Sequence, residues 1–289
     1  MRIALIYNKD NKSTTGIYIE KVLQENKIDY SHFWTKDANN IPKKFDLYLR
    51  IDHGDYKYDI PKDLHPAVFY VIDTHLKKPY KKIRQQVKHY DLAFCANKSG
   101  FFSLSRQVKN VEFQWLPLGC DPQIHTKLKL EKKYDIGFVG SQARKSLRGR
   151  LIDSLREKYP NSYIKGAKFR KMSEIYSTSK IGFNYAIAND INMRIFEIMS
   201  CGCFLLTNRI KDNGFYELFE EGKHLVTYRN EKELLQLVEY YLHNDNEREH
   251  IAQAGFELVT TRYTYYHRVQ KLFNYMAFKW EGEFNQLRI

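Results

Sequence analysis

The sequence predicts an α/β protein built from two doubly wound units. Short apolar runs alternate with helix-length segments, which is the pattern of βαβ units and of a mostly parallel sheet. The pattern breaks once, at Pro117–Pro122, where two prolines and a glycine precede a polar stretch. A chain of 289 residues also suggests two domains more readily than one. We therefore expect one unit on each side of residue 120.

The first half of the chain alternates five strands with three helices. Thr14 or Thr15 would cap the first helix, and Pro79 stands at the first position of the second, where its missing N–H is tolerated. The predicted strands are Arg2–Tyr7, Phe45–Ile51, Val68–Ile72, Asp91–Ala96 and Val111–Leu116; the helices are Gly16–Asn26, Pro79–His89 and Lys98–Ser105.

The second half repeats the alternation and ends in consecutive helices. The predicted strands are Tyr134–Val139, Ser162–Lys165, Ile181–Asn184, Cys203–Thr207 and Leu225–Tyr228; the helices are Lys145–Lys158, Lys171–Ser177, Asn192–Ser200, Phe215–Glu220, Glu231–His243, Glu247–Thr260 and Thr264–Lys279. We expect domains at residues 1–120 and 134–263, a linker at 121–133, and a helix within 264–289 that returns to the first domain. Ligands of such sheets bind beyond the carboxyl ends of the strands, so a cleft between the two sheets is the expected active site.

Composition excludes several classes of protein. The longest apolar run, Ala67–Ile72, is far shorter than the roughly 20 residues that span a bilayer. The first strand becomes polar too early for the core of a signal peptide. The four cysteines, Cys95, Cys120, Cys201 and Cys203, show no C-x-x-C pair and no histidine spacing that would make a zinc site, so we expect free thiols, no metal site and a cytoplasmic protein.

The net charge of +13 favours an anionic partner, which could be nucleic acid, a membrane surface or a phosphorylated small molecule. Lysines that merely solvate the surface would explain the charge equally well. The lysines form short clusters such as Lys77–Lys78 and Lys81–Lys82, and no basic helix stands out. We therefore expect no DNA or RNA partner, whereas peripheral contact with a membrane stays open.

Two segments of the second half could carry chemistry. One is the strand end Gly140–Ser141, followed by Arg144 and Arg148. Glycine lets the backbone approach a ligand, and a helix N-terminus with arginines suits a diphosphate. An ordinary turn would have the same sequence, so this segment alone decides nothing.

The segment that runs from Asn189 to Cys203 is more specific. Asn192 would cap a helix that Gly202 ends, and a buried strand follows at once. Arg194 and Glu197 are three residues apart and could form a simple ion pair. Alternatively, a carboxylate on a helix at the carboxyl edge of a sheet is placed to hold two ribose hydroxyls.

These residues carry a resemblance to a known family. The run Asn192–Cys203 resembles the donor-site helix of glycosyltransferases with two Rossmann-like domains, the GT-B fold, and Phe219–Tyr228 resembles the segment before their final helices. Trp115–Pro122, Tyr134–Ser141 and Val71–His75 are similar to the CgeB-type spore-maturation glycosyltransferase-like family. The resemblance covers residues 68–275 and is strongest over 134–262.

The resemblance implies a metal-independent glycosyltransferase of hexosyltransferase type, with the nucleotide sugar on the C-terminal domain and the acceptor on the other. Glu197 would hold the donor ribose; Asn192, Arg194 and the loop from Ser141 to Arg144 would meet the diphosphate. A UDP- or TDP-type donor is expected as substrate, with no cofactor. Retaining relatives often carry a second glutamate eight residues before the first; here Asn189 stands there, which leaves stereochemistry open.

On the N-terminal side, two strand ends carry ionisable groups. Asp73 and His75 follow one strand, and an inverting transferase needs such a group as general base for the acceptor hydroxyl. The alternative is that Asp73 caps a turn and His75 is a surface residue. For Asp52 and His53, at the end of the preceding strand, an acceptor-side role and a structural role are equally supported.

Three functions remain open on the sequence alone. The first is sugar transfer to a protein, glycan or small molecule. The second is nucleotide-sugar binding without turnover, which Asn189 supports, and the third is nucleic-acid binding through net charge. An NAD enzyme is disfavoured because no G-x-G-x-x-G follows the first strand.

Overall fold

The computed structural model describes residues 2–10, 14–142, 145–166 and 171–280. It divides into two compact units. The first unit comprises the chain up to Leu118 together with the chain from Tyr265 onward, and the second is Gly119–Thr264. In the part of the chain that the structure describes, no helix is long and apolar enough to cross a membrane.

The first unit contains a parallel sheet of six strands. They are β1 (Arg2–Ile6), β2 (Asp29–Phe33), β3 (Leu47–Ile51), β4 (Ala67–Val71), β5 (Leu92–Cys95) and β6 (Glu112–Trp115), in the order β2-β1-β3-β4-β5-β6. The helices are α1 (Thr15–Glu25), α2 (Lys77–Gln86) and α3 (Lys98–Gln107), with 3-10 turns at Thr35–Asn40 and Val87–His89. Crossovers between parallel strands are right-handed, so α2 and α3 lie on one face of the sheet and α1 on the other.

The last helix, α10 (Tyr265–Lys279), packs beside α1 in this unit, as the sequence predicts. The rings of Tyr18 and Tyr265 stack with centroids 4.5 Å apart. The Arg268 guanidinium donates two hydrogen bonds to the carbonyl oxygen of Leu118, at 3.1 and 2.9 Å.

Three expectations for the first unit were wrong. Strand β2 was not predicted, because its polar residues follow no alternating pattern and it pairs only with β1 at the sheet edge. Helix α2 begins at Lys77, so Pro79 is its third residue rather than its first. The lysine clusters 77–78 and 81–82 fall on this one helix, whose single buried residue is Ile83. Their spacing of four residues places them on one face, so a basic helix does stand out.

The second unit contains a parallel sheet of five strands. They are β7 (Tyr134–Val139), β8 (Tyr163–Lys165), β9 (Ser179–Asn184), β10 (Phe204–Asn208) and β11 (Val226–Tyr228), in the order β11-β10-β9-β7-β8. Around it lie α4 (Leu147–Lys158), α5 (Lys171–Ser177), α6 (Met193–Ser200), α7 (Phe215–Leu218), α8 (Glu231–His243) and α9 (Asp245–Arg262). The chain leaves β7 toward β8 and returns to β9 on its other side, so the topological switch point lies between β7 and β9.

Residues 121–133, expected as a linker, lie within the second unit. The backbone N–H of Thr126 donates to Ser173 Oγ at 3.0 Å, and that of Lys133 donates to the Thr178 carbonyl at 2.7 Å. The His125 side chain is fully buried. This segment therefore packs against α5 and the start of β9, which its polar composition did not reveal.

Candidate functional site

Arg194 fixes a positive charge at the switch point of the second unit. It extends from the first turn of α6; its Nε donates to the Val139 carbonyl at 2.9 Å, and a terminal nitrogen donates to Asn184 Oδ1 at 3.1 Å. The guanidinium also lies 4.8 Å from the centre of the Phe138 ring. Gly140 has a φ of +152°, and a Cβ there would lie 2.4 Å from the guanidinium. Glycine is thus required where β7 ends against Arg194.

The alternative reading, an ion pair between Arg194 and Glu197, is not realised among the described residues. Instead, Arg194 is close to a second guanidinium, that of Arg148 on α4. Burial and the positive charge of Arg194 both lower the pKa of Arg148. Arg148 Nε is buried without a hydrogen-bond partner in the described structure. Two neighbouring cations of this kind are suited to bind an anion with several oxygens.

Glu197 follows Arg194 by three residues on α6 and faces a histidine that was not predicted from the sequence. Its side chain is 8% exposed, and its Oε1 is 3.5 Å from His125 Nε2. The backbone N–H of Asp121 donates to His125 Nδ1 at 3.3 Å, which assigns the ring hydrogen to Nε2, facing the carboxylate. Ser200 Oγ donates to the His125 carbonyl at 2.7 Å. These two hydrogen bonds fix the position of His125, and His125 in turn orients the Glu197 carboxylate.

The charges of Arg194 and Glu197 both act on Tyr176. Its side chain is fully buried, and its hydroxyl accepts a hydrogen bond from the Val139 N–H at 3.2 Å. Burial raises the pKa of Tyr176; Arg194 opposes this shift and Glu197 adds to it. The phenol thus remains protonated beside both groups, and it can donate a hydrogen bond.

The loop that precedes α6 has an unusual backbone. Ala188 and Asn189 have φ values of 50° and 60°, in the left-handed region that side chains disfavour. Asn189 Oδ1 accepts a hydrogen bond from the Lys211 N–H at 3.3 Å, and its carbonyl accepts one from Asn213 Nδ2 at 2.8 Å. The Asn189 side chain, at the position where retaining relatives often carry a glutamate, thus holds the loop to the segment after β10. Strained loops of this kind concentrate at functional sites.

Asn192 takes the predicted N-cap position of α6, but its side chain makes no capping hydrogen bond. Its Oδ1 is buried and has no partner among the described residues. The Asn192 side chain therefore accepts no hydrogen bond from the N–H groups in the first turn of α6. Because a helix N-terminus carries partial positive charge, these N–H groups are suited to bind an anion. Ser141 is exposed just beyond the end of β7, and Arg144 lies outside the described residues.

A cavity of about 280 Å³ lies beside this loop. Tyr185, Asn208 and Lys211 line it, and Asn208 also holds the loop through Ala186. Its other lining residues are Leu147, Leu151, Arg209, Tyr228, Arg229, Asn230 and Glu231. Three of the ten residues are cationic and one is acidic, so the cavity shares the positive character of the switch point.

In the first unit, Asp52 joins the ends of β3 and β4. It is 3% exposed, and its Oδ1 accepts from the Gly54 N–H at 3.0 Å. Its Oδ2 accepts from the Tyr56 hydroxyl at 2.9 Å and from the N–H groups of Ile72 and Asp73 at 2.9 and 3.2 Å. With these four hydrogen bonds, the buried Asp52 carboxylate has a structural role: it fixes the ends of the two strands relative to each other.

Asp73 shares the Tyr56 hydroxyl with Asp52, since Asp73 Oδ2 lies 3.2 Å from it. Burial first, and then both carboxylates, raise the pKa of Tyr56, so this hydroxyl stays protonated. His75 Nδ1 is 3.4 Å from Asn97 Nδ2, which donates to the Ile72 carbonyl at 2.9 Å. Asp73 and His75 are both partly exposed at the carboxyl end of β4.

His53 Nε2 lies 2.9 Å from Thr35 Oγ1. Burial lowers the pKa of His53, although the nearby Asp52 opposes that shift. A neutral imidazole of this kind can accept a proton. Among the residues that the structure describes, no three His, Cys, Asp or Glu side chains are grouped to hold a metal ion.

Comparison with solved structures assigns the fold. HepE from Anabaena, solved with UDP and glucose, superimposes with a TM-score of 0.69 and 12% identity over 96% of this chain and 99% of its own. Sucrose-phosphate synthase from Thermosynechococcus elongatus gives 0.67 and 10% identity over 98% and 100%. An α-glucosyltransferase solved with UDP and a 13-mer DNA gives 0.66 and 10% over 95% and 98%. The protein has the GT-B fold that the sequence predicts.

Comparison with family models goes one step further. Residues 124–274, just over half of the chain, match the family described as glycosyl transferase-like. The chain belongs to this family. A search of curated proteins by sequence finds no match. The narrower CgeB-type assignment stays a prediction.

Proposed function

We propose that this protein transfers a sugar from a nucleotide-diphosphate donor of UDP or TDP type to a protein, glycan or small-molecule acceptor, without a metal ion or cofactor. The observation that carries the proposal is the pairing, at the switch point of the second unit, of two cations with a carboxylate held by His125. Family membership supports it, as do the UDP complexes of HepE and of the α-glucosyltransferase.

The donor is assigned to the second unit. Glu197 would accept hydrogen bonds from the ribose hydroxyls, because His125 already orients its carboxylate. Arg194 and Arg148, with Ser141, Arg144 and the start of α6 at Asn192, would meet the diphosphate. Positive groups fixed in advance stabilise the charge that develops on the leaving diphosphate, which is the role that a metal ion has elsewhere.

The acceptor is assigned to the first unit. Asp73 or His75 would remove the proton from the acceptor hydroxyl, since both are partly exposed at the end of β4. Asp52 would position this strand end through its hydrogen bonds to Ile72 and Asp73. His53, held at Thr35, would line the same edge of the sheet.

Donor binding tests the proposal most directly. Thermal-shift measurements with UDP-, TDP- and GDP-sugars should single out the donor, because a ligand of the folded state raises its stability. Calorimetry should then show that Glu197→Ala weakens binding by about 10- to 100-fold, from the loss of hydrogen bonds to a charged group. Glu157→Ala, an exposed carboxylate on α4, serves as the control and should bind like the wild type.

Unchanged affinity in a folded Glu197→Ala protein would contradict the assignment of the ribose site. Turnover measurements distinguish a transferase from a protein that only binds the nucleotide sugar. A donor that binds but is neither transferred nor hydrolysed, across a panel of acceptors, would favour a nucleotide-sugar-binding protein without activity, the function that Asn189 supports.

A further inference from the structure

The basic charge of the chain is concentrated in one stretch. Residues 74–111 contain seven lysines and two arginines but a single acidic residue, Asp91. This stretch therefore accounts for eight of the thirteen net positive charges. It comprises α2, β5 and α3, and the strand is buried, so the cations belong to the two helices and the turns around them.

The two helices form one layer. Arg84 of α2 donates to Gln107 Oε1 of α3 at 2.6 Å, and Gln107 Nε2 donates to the Tyr80 hydroxyl of α2 at 2.8 Å. Because both helices cover the same side of the sheet, their outer surfaces are continuous. We call this surface the α2–α3 face; its exposed cations are Lys77, Lys78, Lys81, Lys82, Arg84, Lys88, Arg106 and Lys109.

No ion pair neutralises these eight cations within the described structure. The single acid of the stretch is engaged elsewhere: Asp91 Oδ2 accepts from His65 Nδ1 at 2.8 Å and from the Ala67 N–H at 2.7 Å, at the start of β5. Asp59, which lies near the end of α2, is bound by Arg50 and by His89. The α2–α3 face is therefore a positive surface whose charges are not neutralised by neighbouring carboxylates.

An exposed aromatic side chain lies on the same face. Phe102 of α3 is 48% exposed, and Lys98 Nζ lies 5.9 Å from the centre of its ring. A phenyl ring beside lysines is suited to enter the boundary between lipid headgroups and acyl chains, while the lysine side chains reach the phosphates.

We propose that the α2–α3 face docks on the surface of an anionic lipid bilayer. Clusters of four to eight basic residues on a helix attract anionic headgroups, at about 1 kcal/mol for each residue near the surface. The features favour lipid over nucleic acid, which is read through arginine forks and grooves. Seven of the nine cations of the stretch are lysines, and Arg84 is already bound to Gln107.

Vesicle co-sedimentation tests the proposal and requires no enzymatic activity. The wild-type protein should sediment with vesicles of equimolar phosphatidylcholine and phosphatidylglycerol, but not with phosphatidylcholine alone. The binding should be lost near 1 M salt, where charges are screened within about 3 Å. The triple variant Lys78→Gln, Lys81→Gln, Lys82→Gln should bind on the order of 100-fold more weakly, which is roughly fivefold for each charge.

A second triple variant matches the loss of net charge on the other unit: Lys129→Gln, Lys171→Gln, Lys232→Gln, all exposed. It should bind vesicles within about twofold of the wild type, because the attraction decays over roughly a Debye length. Both variants should keep the wild-type thermal transition, and Phe102→Ser should weaken vesicle binding without changing its salt dependence.

Three results would overturn the proposal. They are equal loss of binding in both triple variants, no preference of the wild type for anionic vesicles, and release of the protein from vesicles by a DNA duplex that binds the same face more tightly. The last result would assign the face to nucleic acid. Since none of these measurements involves the nucleotide sugar, their outcome is independent of the proposed transferase activity.

Discussion

At the scale of single residues, Arg148 offers the most direct test of the proposed donor site. It lies close enough to Arg194 for the two positive charges to affect each other, and its buried Nε lacks a partner in the described structure. Arg194 also has packing roles, through Val139, Asn184 and Phe138. A substitution of Arg148 therefore tests diphosphate binding with less disturbance of the packing than a substitution of Arg194.

Arg148→Gln should weaken the affinity for a nucleotide-diphosphate sugar by about 10-fold or more, because a hydrogen bond to a charged group contributes about 1.5–3 kcal/mol. The affinity for the corresponding nucleoside, which has no phosphate, should not change. Calorimetry with both ligands measures the difference, with Arg150→Gln, an exposed position on the same helix, as control. Equal weakening for both ligands would mean that Arg148 is structural.

Asp73 and His75 carry the prediction for the acceptor side. Asp73→Asn or His75→Ala should lower kcat by ~10²–10⁴-fold, the usual contribution of a positioned proton acceptor. Donor affinity should be retained, because the donor is assigned to the other unit. Steady-state kinetics and calorimetry on the same preparations measure both quantities, with Asp55→Asn as an exposed control. Wild-type turnover in both variants would refute the role.

Among the elements, the junction of β3 and β4 depends on Asp52. Removing a buried carboxylate that accepts four hydrogen bonds leaves N–H groups unpaired at two strand ends. Asp52→Ala should therefore lower the free energy of unfolding by on the order of 3 kcal/mol. Denaturant unfolding measures this change. The neighbouring Asp55→Ala should change stability by less than about 0.5 kcal/mol, and an equal effect of both would exclude the junction as the cause.

The alternation of apolar and helical segments allowed most elements to be predicted, because that pattern records which side chains face the core. Tyr134–Val139, Lys171–Ser177 and Glu231–His243 agree residue for residue. Strand β2 could not be predicted, since a half-exposed edge strand needs no alternation. His125 carries no local signal either: its role comes from Glu197, 72 residues further along the chain.

The basic face was missed for a different reason. Charge counted along the chain shows short clusters, whereas the helix places them on one surface and the neighbouring helix adds to it. Arg194 and Glu197 were predicted as donor residues from the family resemblance of the run Asn192–Cys203, and that role stays a prediction. The ion pair between them, the alternative that the sequence left open, does not form in the described part of the chain, since Arg194 is bound instead by carbonyl groups that lie on β7 and β9.

For the molecule as a whole, burial should protect all four thiols. Cys95, Cys120, Cys201 and Cys203 are free and buried, and burial raises the pKa of Cys203 to about 12. Because the thiolate is the reactive form, a disulfide reagent at about pH 8 should modify none of them within minutes in the folded protein. All four should react once denaturant is added. A thiol that reacts quickly without denaturant would reveal local opening near it.

The return of α10 to the first unit has a consequence for biosynthesis. Leu118 and the Arg268 that binds its carbonyl are separated by the entire second unit in the order of synthesis. At roughly 5–20 residues per second, the ribosome needs on the order of 10 s between the two. During that interval Tyr18 lacks its stacking partner Tyr265, while the second unit, a continuous stretch of chain, emerges whole. The unit that begins first is therefore the one completed last.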